Sequence, residues 1–432
     1  MGNEAKANSA SATHWPKGKA YAGLVLAIAF GLNLSDYMSR YVVVALFPDL
    51  RQEWALSNAD LGGLVSVVAL VVGLLAVPVA LLAERFGRAR CLTLMAVLWS
   101  AATFICAHVS SYGHMLAARV LVGVGEAAYS TVGLALLFSL FPRGLRASVS
   151  GTFLSSGPLG QVLGIVLGGA IGSAFGWRHA FSAMAAFGFI LAILFLLLVR
   201  EPAGARQEDD GLRLGTILPF LREVLITRPI PLLMLAGGLQ FFTFAGFLAW
   251  APSWLQSVYG LASVASAKRA AALVLLAVLG MLVCSNIADR VARQWNGGRA
   301  IAATLFCATT GIAFAVGFSL PTGLPQLVLI ALGVFTGGAA IGPGSAIFAE
   351  RLRPAAHGVA FSCAAITNNL IGQAPAPWVI GKIADHSSLS FGLACSAAGS
   401  CLAAVTFLRI RELCLGQHVQ QHLQAVEQIS QT

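Results

Sequence analysis

Charge is what this sequence has least of. Of its 432 residues only 10% are Asp, Glu, Lys or Arg, against roughly a quarter in ordinary soluble domains, while 58% are hydrophobic. That scarcity excludes a water-soluble fold. Cysteine is sparse as well. The eight, among them Cys91, Cys106, Cys284 and Cys363, are scattered through mostly apolar segments without paired spacing, which argues against a metal site and leaves them as small core residues. No nucleophile is found with its base, and there is no nucleotide loop, because the glycine-rich pieces fall within apolar runs where packing explains them. The chain is therefore not read as an enzyme, and neither cofactor nor metal is expected. Residues 1–19 are polar and lack the charged, apolar, small-residue layout of a cleaved signal, so the first apolar segment is expected to stay as a span.

What is abundant is apolar sequence in runs of about 20 residues, the length that crosses a hydrocarbon core at about 1.5 Å per residue. Twelve such runs lie at 20–46, 59–83, 91–110, 113–139, 147–173, 179–199, 229–252, 266–288, 300–319, 324–347, 355–382 and 389–410. Strands of a membrane barrel would be half as long and alternate in polarity. The reading is an all-α membrane protein with twelve transmembrane helices and the lipid bilayer as its first partner. The net charge of +10 could suggest nucleic acid, but the basic residues follow topology rather than forming a patch with aromatics. With the N-terminus in the cytoplasm, 20 of the 27 Lys and Arg fall on the cytoplasmic side, five fall outside (Arg51, Arg178, Lys268, Arg269 and Lys382), and Arg40 and Arg119 lie within helices. This positive-inside bias puts both termini in the cytoplasm.

The chain divides in two. Residues 1–19 form a cytoplasmic tail and 20–199 a six-helix block. A charged linker over 200–228, "REPAGARQEDDGLRLGTILPFLREVLITR", leads to a second six-helix block at 229–410 and a cytoplasmic tail at 411–432. One signal occurs in both blocks. "ALLAERFGRAR" (80–90) and "SNIADRVARQW" (285–295) each place an acid-Arg pair, Glu84-Arg85 and Asp289-Arg290, at the cytoplasmic end of the second span of its block. An internal repeat of six helices is the simplest account.

Two spans carry charge at depth, which is expensive, roughly 2.5–3.5 kcal/mol per residue on an insertion scale, and normally faces a cavity or a partner. In "LNLSDYMSRYVVV" (32–44), Asp36 and Arg40 are four apart, on one helix face and close enough to pair. In "RVLVGVGEAAYS" (119–130), Arg119 and Glu126 are seven apart and return to nearly the same face. Both arginines then lie about 9 Å below the external end of their helix and the two acids about 15–20 Å below it. The acids are nearer the midplane, where repeat-built transporters keep their sites. The bland alternative is a static ion pair that fastens helices. Gly123 and Gly125 are read as close-packing positions.

These residues carry a resemblance. "ALLAERFGRAR" resembles the signature loop of the major facilitator superfamily, a glycine, an acid-Arg pair, then Gly-Arg-basic, with Ala80 and Glu84 as departures from the usual glycine and Asp. "RVLVGVGEAAYS" is similar to the superfamily's fourth helix, and "SGPLGQVLG" (156–164) to its Gly-Pro helix-five motif. "FGWRHAF" (175–181) and "NNLIGQAPAPWVIGKIAD" (368–385) resemble its punctuation, so the likeness covers about 20–410. "GEAAY" (125–129) with "SRYVVVALFPDL" (39–50) most resembles the spinster-like branch. That branch usually has an Asp directly before the Arg; here Ser39 stands there and Asp36 lies one turn earlier.

The resemblance implies the major facilitator fold of two six-helix halves, in which the first and fourth helices line a central cavity and so bring Asp36, Arg40, Arg119 and Glu126 together. It implies a secondary transporter of lysophospholipids, sphingoid lipids or other amphipathic anions, coupled to protons, monomeric, in the inner (cytoplasmic) membrane. Glu126 or Asp36 would carry the proton while Arg40 pairs alternately with a carboxylate and with the anion. Glu84, Arg85, Arg88, Asp289 and Arg290 would form a gate latch; the alternative is a solvated loop. Gly157 and Pro158 would kink the fifth helix. Asn33, Tyr37, Tyr129, Gln161, Gln240 and Asn369 are expected to supply polar cavity wall. Phe241, Phe242, Phe244, Phe247, Trp250 and Trp254 cluster in and beyond span seven, as lipid-facing aromatics or as the apolar side of that cavity. Two other classes stand beside this one: a proton symporter for a small organic acid, such as an aromatic or hexuronic acid, and a non-transporting receptor or assembly factor.

Overall fold

The computed structural model describes residues 18–200, 214–353 and 356–430. Among them every regular element is helical. In chain order these are α1 (Lys19–Ala45), α2 (Phe47–Trp54), α3 (Asn58–Phe86), α4 (Arg88–His108), α5 (Tyr112–Glu126), α6 (Tyr129–Leu140), α7 (Arg146–Phe175) and α8 (Trp177–Leu198). They continue as α9 (Leu214–Ile226), α10 (Ile230–Tyr259), α11 (Ser263–Gln294), α12 (Gly298–Ser319), α13 (Leu324–Gly337), α14 (Ile341–Arg351), α15 (His357–Thr367), α16 (Pro375–His386) and α17 (Leu389–Ser430). Span four is α5 and α6 end to end, span ten α13 and α14, and span eleven α15 and α16.

Eleven helical stretches are long and apolar enough to cross a bilayer. The twelfth expected crossing, span eleven, is interrupted by a π-helical segment over Asn368–Gln373, so neither of its helices reaches spanning length alone. Each of the eleven hides only 33–61% of its apolar window. The remaining apolar faces, with Leu74, Leu94, Leu196 and Leu197 more than half exposed, suit lipid as their solvent. Two expected boundaries move. Part of the linker is helix α9, whose Val224 is buried in a core with Ile230 and Phe407 and whose Glu223 accepts from Arg353 Nε at 3.2 Å. Helix α17 continues beyond the expected span end at 410 to Ser430.

Two compact units result. One is built from the described residues of 1–56, 67–213 and 262–271, the other from those of 57–66, 214–261 and 272–432. The core of the first gathers Leu32, Leu92, Trp99, Tyr129, Phe153 and Phe195, and that of the second Leu233, Cys307, Phe348 and Phe407. The second unit includes the opening turns of α3, which the sequence assigns to the first six-helix block. Their placement has a local cause. Ser57 and Asp60 form a capping box, with Asp60 N donating to Ser57 Oγ and Ser57 N to Asp60 Oδ2. Asp385, at the end of α16, then accepts from Asn58 N at 2.7 Å and Ala59 N at 2.9 Å, a carboxylate at the positive end of a helix. A Cβ at Gly381 would meet Asn58 O at 2.4 Å, and one at Gly62 would meet Pro377 O at 2.3 Å, so only glycine permits this approach.

In the first unit, α2 is held by a single acid. Glu53 Oε2 accepts from Trp177 Nε1 at 2.6 Å and Arg178 at 2.9 Å, and Oε1 accepts from Arg178 at 2.6 Å. The Arg178 guanidinium lies 4.1 Å from the Trp177 ring centroid. The "GWR" stretch that looked like punctuation is thus what docks α2. The Arg178 hydrogen bonds hold the Glu53 carboxyl below its ordinary value against a smaller opposing effect of desolvation, with Trp177 assisting. A depressed native pKa stabilises the fold above the unfolded value, near 4.5, and this contribution is lost as pH falls through the native value. Thermal unfolding of the wild type between pH 7 and pH 3 should therefore show an acid loss that Glu53→Gln lacks. Identical pH profiles for the two proteins would remove Glu53 from the account.

Candidate functional site

The site begins with glycine. Along α7, Cβ atoms added at Gly157, Gly160, Gly164 and Gly168 would meet the Tyr37 ring at 3.1 Å, Leu34 O at 2.4 Å, Met38 O at 2.7 Å and Val42 Cγ2 at 2.8 Å. One bare stripe on span five therefore carries the backbone of span one over the stretch that bears the charges. The chain stays helical through Pro158, and Gly157 serves the contact with Tyr37.

On the side of span four, Arg40 is joined to Glu126. Its Nε donates to Oε2 at 2.9 Å and Nη2 lies 2.8 Å from the same oxygen, with both groups buried. The sequence places Asp36 beside Arg40 as its partner; the structure gives Arg40 a carboxylate on another helix. Asp36 is buried near both groups. Asp36 Oδ1 and Glu126 Oε1 are buried and have no hydrogen-bond partner among the described residues. The Tyr37 ring covers the Arg40 guanidinium at 5.3 Å and stacks with Tyr41.

Arg119 has a different task from the one its spacing suggests. It is fully buried, and its Nη1 and Nη2 donate to the backbone carbonyls of Ser39 at 3.1 Å and Arg40 at 2.9 Å. It grips the main chain of span one at the residue whose side chain holds Glu126. Asn33 donates to Ser156 Oγ at 2.7 Å and accepts from Ser130 Oγ at 3.1 Å, tying spans one, four and five together. Tyr129 donates to Ala29 O at 3.3 Å and packs edge-on to Trp99. Gln161 is buried, and its Nε2 has no partner among the described residues. Ser130, Ser156 and Trp99 escaped the sequence reading. Small hydroxyls and a lone Trp within apolar runs give no signal until their helices are placed.

In the second unit, Gln240 Nε2 donates to Gly337 O at 2.8 Å and Asn369 Nδ2 to Ala365 O at 2.9 Å, and Gln240 Oε1, Asn368 Oδ1 and Asn369 Oδ1 have no partner among the described residues. The aromatics of span seven are divided. Phe247, Trp250 and Trp254 are core residues rather than lipid or cavity wall: Phe247 packs on Phe314 and Phe318, Trp250 donates to Pro377 O and Trp254 to Ser390 Oγ. Phe241, Phe242 and Phe244 stay half-buried. Of the loop residues, Glu84 is held by Arg88 at 3.0 Å, and Arg88 also donates to Ala135 O. Arg85 lies over the Phe86 ring. Asp289 receives Arg299 at 3.5 Å, and Arg299 also pairs with Glu350, a partner the repeat did not announce. No cluster of three or more His, Cys, Asp or Glu able to hold a metal exists among the described residues.

Residues 29–377 match the family model described as Major Facilitator Superfamily. The "Sphingosine-1-phosphate transporter SPNS2" of Danio rerio is 25% identical over 388 residues, 84% of this chain and 76% of that protein. "Protein spinster" of Drosophila melanogaster is 28% identical over 226 residues, 52% of this chain but only 36% of the fly protein. Among solved structures, a bacterial homolog to the human lysosomal transporter Spinster, in an inward-facing and unoccupied conformation, matches with a TM-score of 0.82 at 19% identity, covering 92% of this chain and 98% of that one.

The contacts of span one set a graded expectation for stability. Gly160→Ala drives a methyl against the Leu34 carbonyl and should cost about 1–3 kcal/mol, the usual toll of overpacking. Gly151→Ala, where a Cβ meets nothing within 4 Å, should be neutral or stabilising by up to about 1 kcal/mol through helix propensity. Thermal unfolding of the two purified variants compares them directly, and equal behaviour would refute the role of the stripe.

Proposed function

The chain belongs to the Major Facilitator Superfamily, as a spinster-like transporter, and on that premise we propose that it is a proton-coupled secondary transporter that moves an amphipathic anion across the cytoplasmic membrane by alternating access. The observation that supports this reading is one buried guanidinium set among two buried carboxyls: Arg40 is joined to Glu126, and Asp36 stands near both. Two carboxylates against one guanidinium leave a negative charge unbalanced in the interior, which a proton would neutralise. A proton in this group is therefore in direct competition with Arg40 for Glu126. When Glu126 is protonated, Arg40 keeps its charge and loses its partner, and an anionic head group is the natural replacement, because a guanidinium meets a phosphate or carboxylate at two points. Arg119 stays on the backbone of span one and holds Arg40 at depth while the partners exchange.

The anion we infer is lysophospholipid-like or sphingoid-like. The charged residues stand in the first unit, whereas the second has half-buried Phe241, Phe242 and Phe244 and amide oxygens without partners among the described residues. The SPNS2 proteins carry sphingosine-1-phosphate in their name, an anion of this class. In the same reading, the acid-Arg loops around Glu84, Arg85 and Arg88 and around Asp289 and Arg290 act as the latch of the state closed to the cytoplasm.

Two measurements test the proposal. In proteoliposomes, Glu126→Gln should abolish flux driven by a pH gradient while the protein stays folded, and Asp36→Asn should reduce it. Undiminished flux in both variants would sink proton coupling through this pair. For the anion, the double variant Asp36→Asn with Arg40→Gln should fold yet fail to bind lysolipids or sphingoid phosphates, and Arg40→Lys should bind them at least about tenfold more weakly, since it lacks the planar fork. Full binding by the folded double variant would leave the pair a helix fastener, and a preference for small aromatic or hexuronic acids would favour a symporter of organic acids.

A further inference from the structure

The membrane-facing side of the second unit holds a wedge between its first and last spans. Helices α10 and α17 are in contact where a Cβ at Gly399 would meet Leu239 O at 2.8 Å, where Thr243 donates to Ser396 O at 2.6 Å, and where Ser400 N donates back to Thr243 Oγ1 at 2.9 Å. From this crossing toward the start of α10 and the continuation of α17, the two helices leave a space of about 440 Å³. Its walls are Leu232 and Leu235 from α10 and Val405 and Leu413 from α17, with Arg409 and Glu412 at its outer end. Leu235 and Val405 are exposed. Arg409 lies ten residues beyond Gly399, about 15 Å along the helix, which is half of a hydrocarbon core about 30 Å thick. The lining begins at Leu235 and Val405, is apolar apart from Thr406, and carries the charged pair Arg409 and Glu412 farther along α17.

The charged end has a definite polarity. Arg409 Nη1 and Glu412 Oε2 are 2.8 Å apart, on side chains that are 71% and 62% exposed. A solvated pair three residues apart on one helix holds weakly, so both groups are free to accept other partners, and together they carry no net charge. An anionic lipid would gain Arg409 but face the Glu412 carboxylate. A zwitterion with a phosphate and an N–H-bearing ammonium satisfies both, and a quaternary ammonium, which has no N–H, satisfies only one.

We propose that this wedge is a binding site for a single phospholipid with a primary ammonium head group, phosphatidylethanolamine, with an acyl chain between α10 and α17, the phosphate on Arg409 and the ammonium on Glu412. The site is independent of the transport reading, since none of its residues belongs to the charged group of span one.

The test uses the full-length protein in detergent, titrated in turn with phosphatidylethanolamine, phosphatidylcholine and phosphatidylglycerol, with bound lipid counted by native mass spectrometry and thermal stability followed in parallel. Phosphatidylethanolamine should be retained preferentially and raise the unfolding temperature. Arg409→Gln and Glu412→Gln should each weaken that retention about tenfold, as expected for one lost charge-assisted hydrogen bond. Val405→Trp, which fills the wedge and keeps both charges, should abolish it. The proposal is overturned if phosphatidylglycerol is preferred and Glu412→Gln strengthens it, if phosphatidylcholine binds as well as phosphatidylethanolamine, or if lipid remains bound to Val405→Trp as to the wild type.

Discussion

The constraint on which the first unit depends is that Arg40 can never discharge itself. A guanidinium at bilayer depth must be matched wherever it goes, and here the match is Glu126 on another span. Everything around the pair answers to that need. The bare face of α7 lets span one lie close enough to be held, Arg119 fixes the main chain at the charged residue, and Tyr37 roofs the guanidinium. A static fastener would require only the pair. A second buried acid, Asp36, stands near the pair, so the group holds one carboxyl more than the cation needs.

The two units treat polarity differently. The first concentrates it in a charged cluster, with Asn33, Ser130 and Ser156 hydrogen-bonded to one another nearby and the hydroxyls of Ser35 and Ser39 without a partner among the described residues. The second keeps its ion pairs at helix ends, as in Arg299 with Asp289 and Glu350 or Arg353 with Glu223, and leaves amide oxygens as its polar features within the spans. Two helical units of one chain thus differ in how they use polar groups.

Much of this was legible in the sequence because composition and run length decide where a chain crosses a bilayer, and because charges at depth are too expensive to be incidental. Asp36, Arg40, Arg119 and Glu126 stand out on those grounds alone. Their pairing did not, since spacing along one helix reports only neighbours on that helix: Asp36 with Arg40 is what a single span can show, whereas Arg40 with Glu126 depends on how closely two spans approach. The same limit explains Trp250 and Trp254, whose indole N–H groups find Pro377 O and Ser390 Oγ more than a hundred residues away. An aromatic in an apolar run reads alike whether it faces lipid, cavity or core. Span eleven was found by its length, but the π segment within it was not, because hydropathy is blind to it.

That segment sets the clock face of everything after it. One residue advances an α-helix by about 100°, and a π turn accommodates an added residue without breaking the rod. Asn368–Gln373 is therefore a phase shifter within span eleven. With one residue fewer, α16 would present a different side, and Gly381, which admits the backbone of Asn58, and Asp385, which takes the amides of Asn58 and Ala59, would both point elsewhere. The angular setting of the far end of the span is encoded six residues at a time in its middle, so a single insertion or deletion there would act at a distance of several turns without touching any residue at that end.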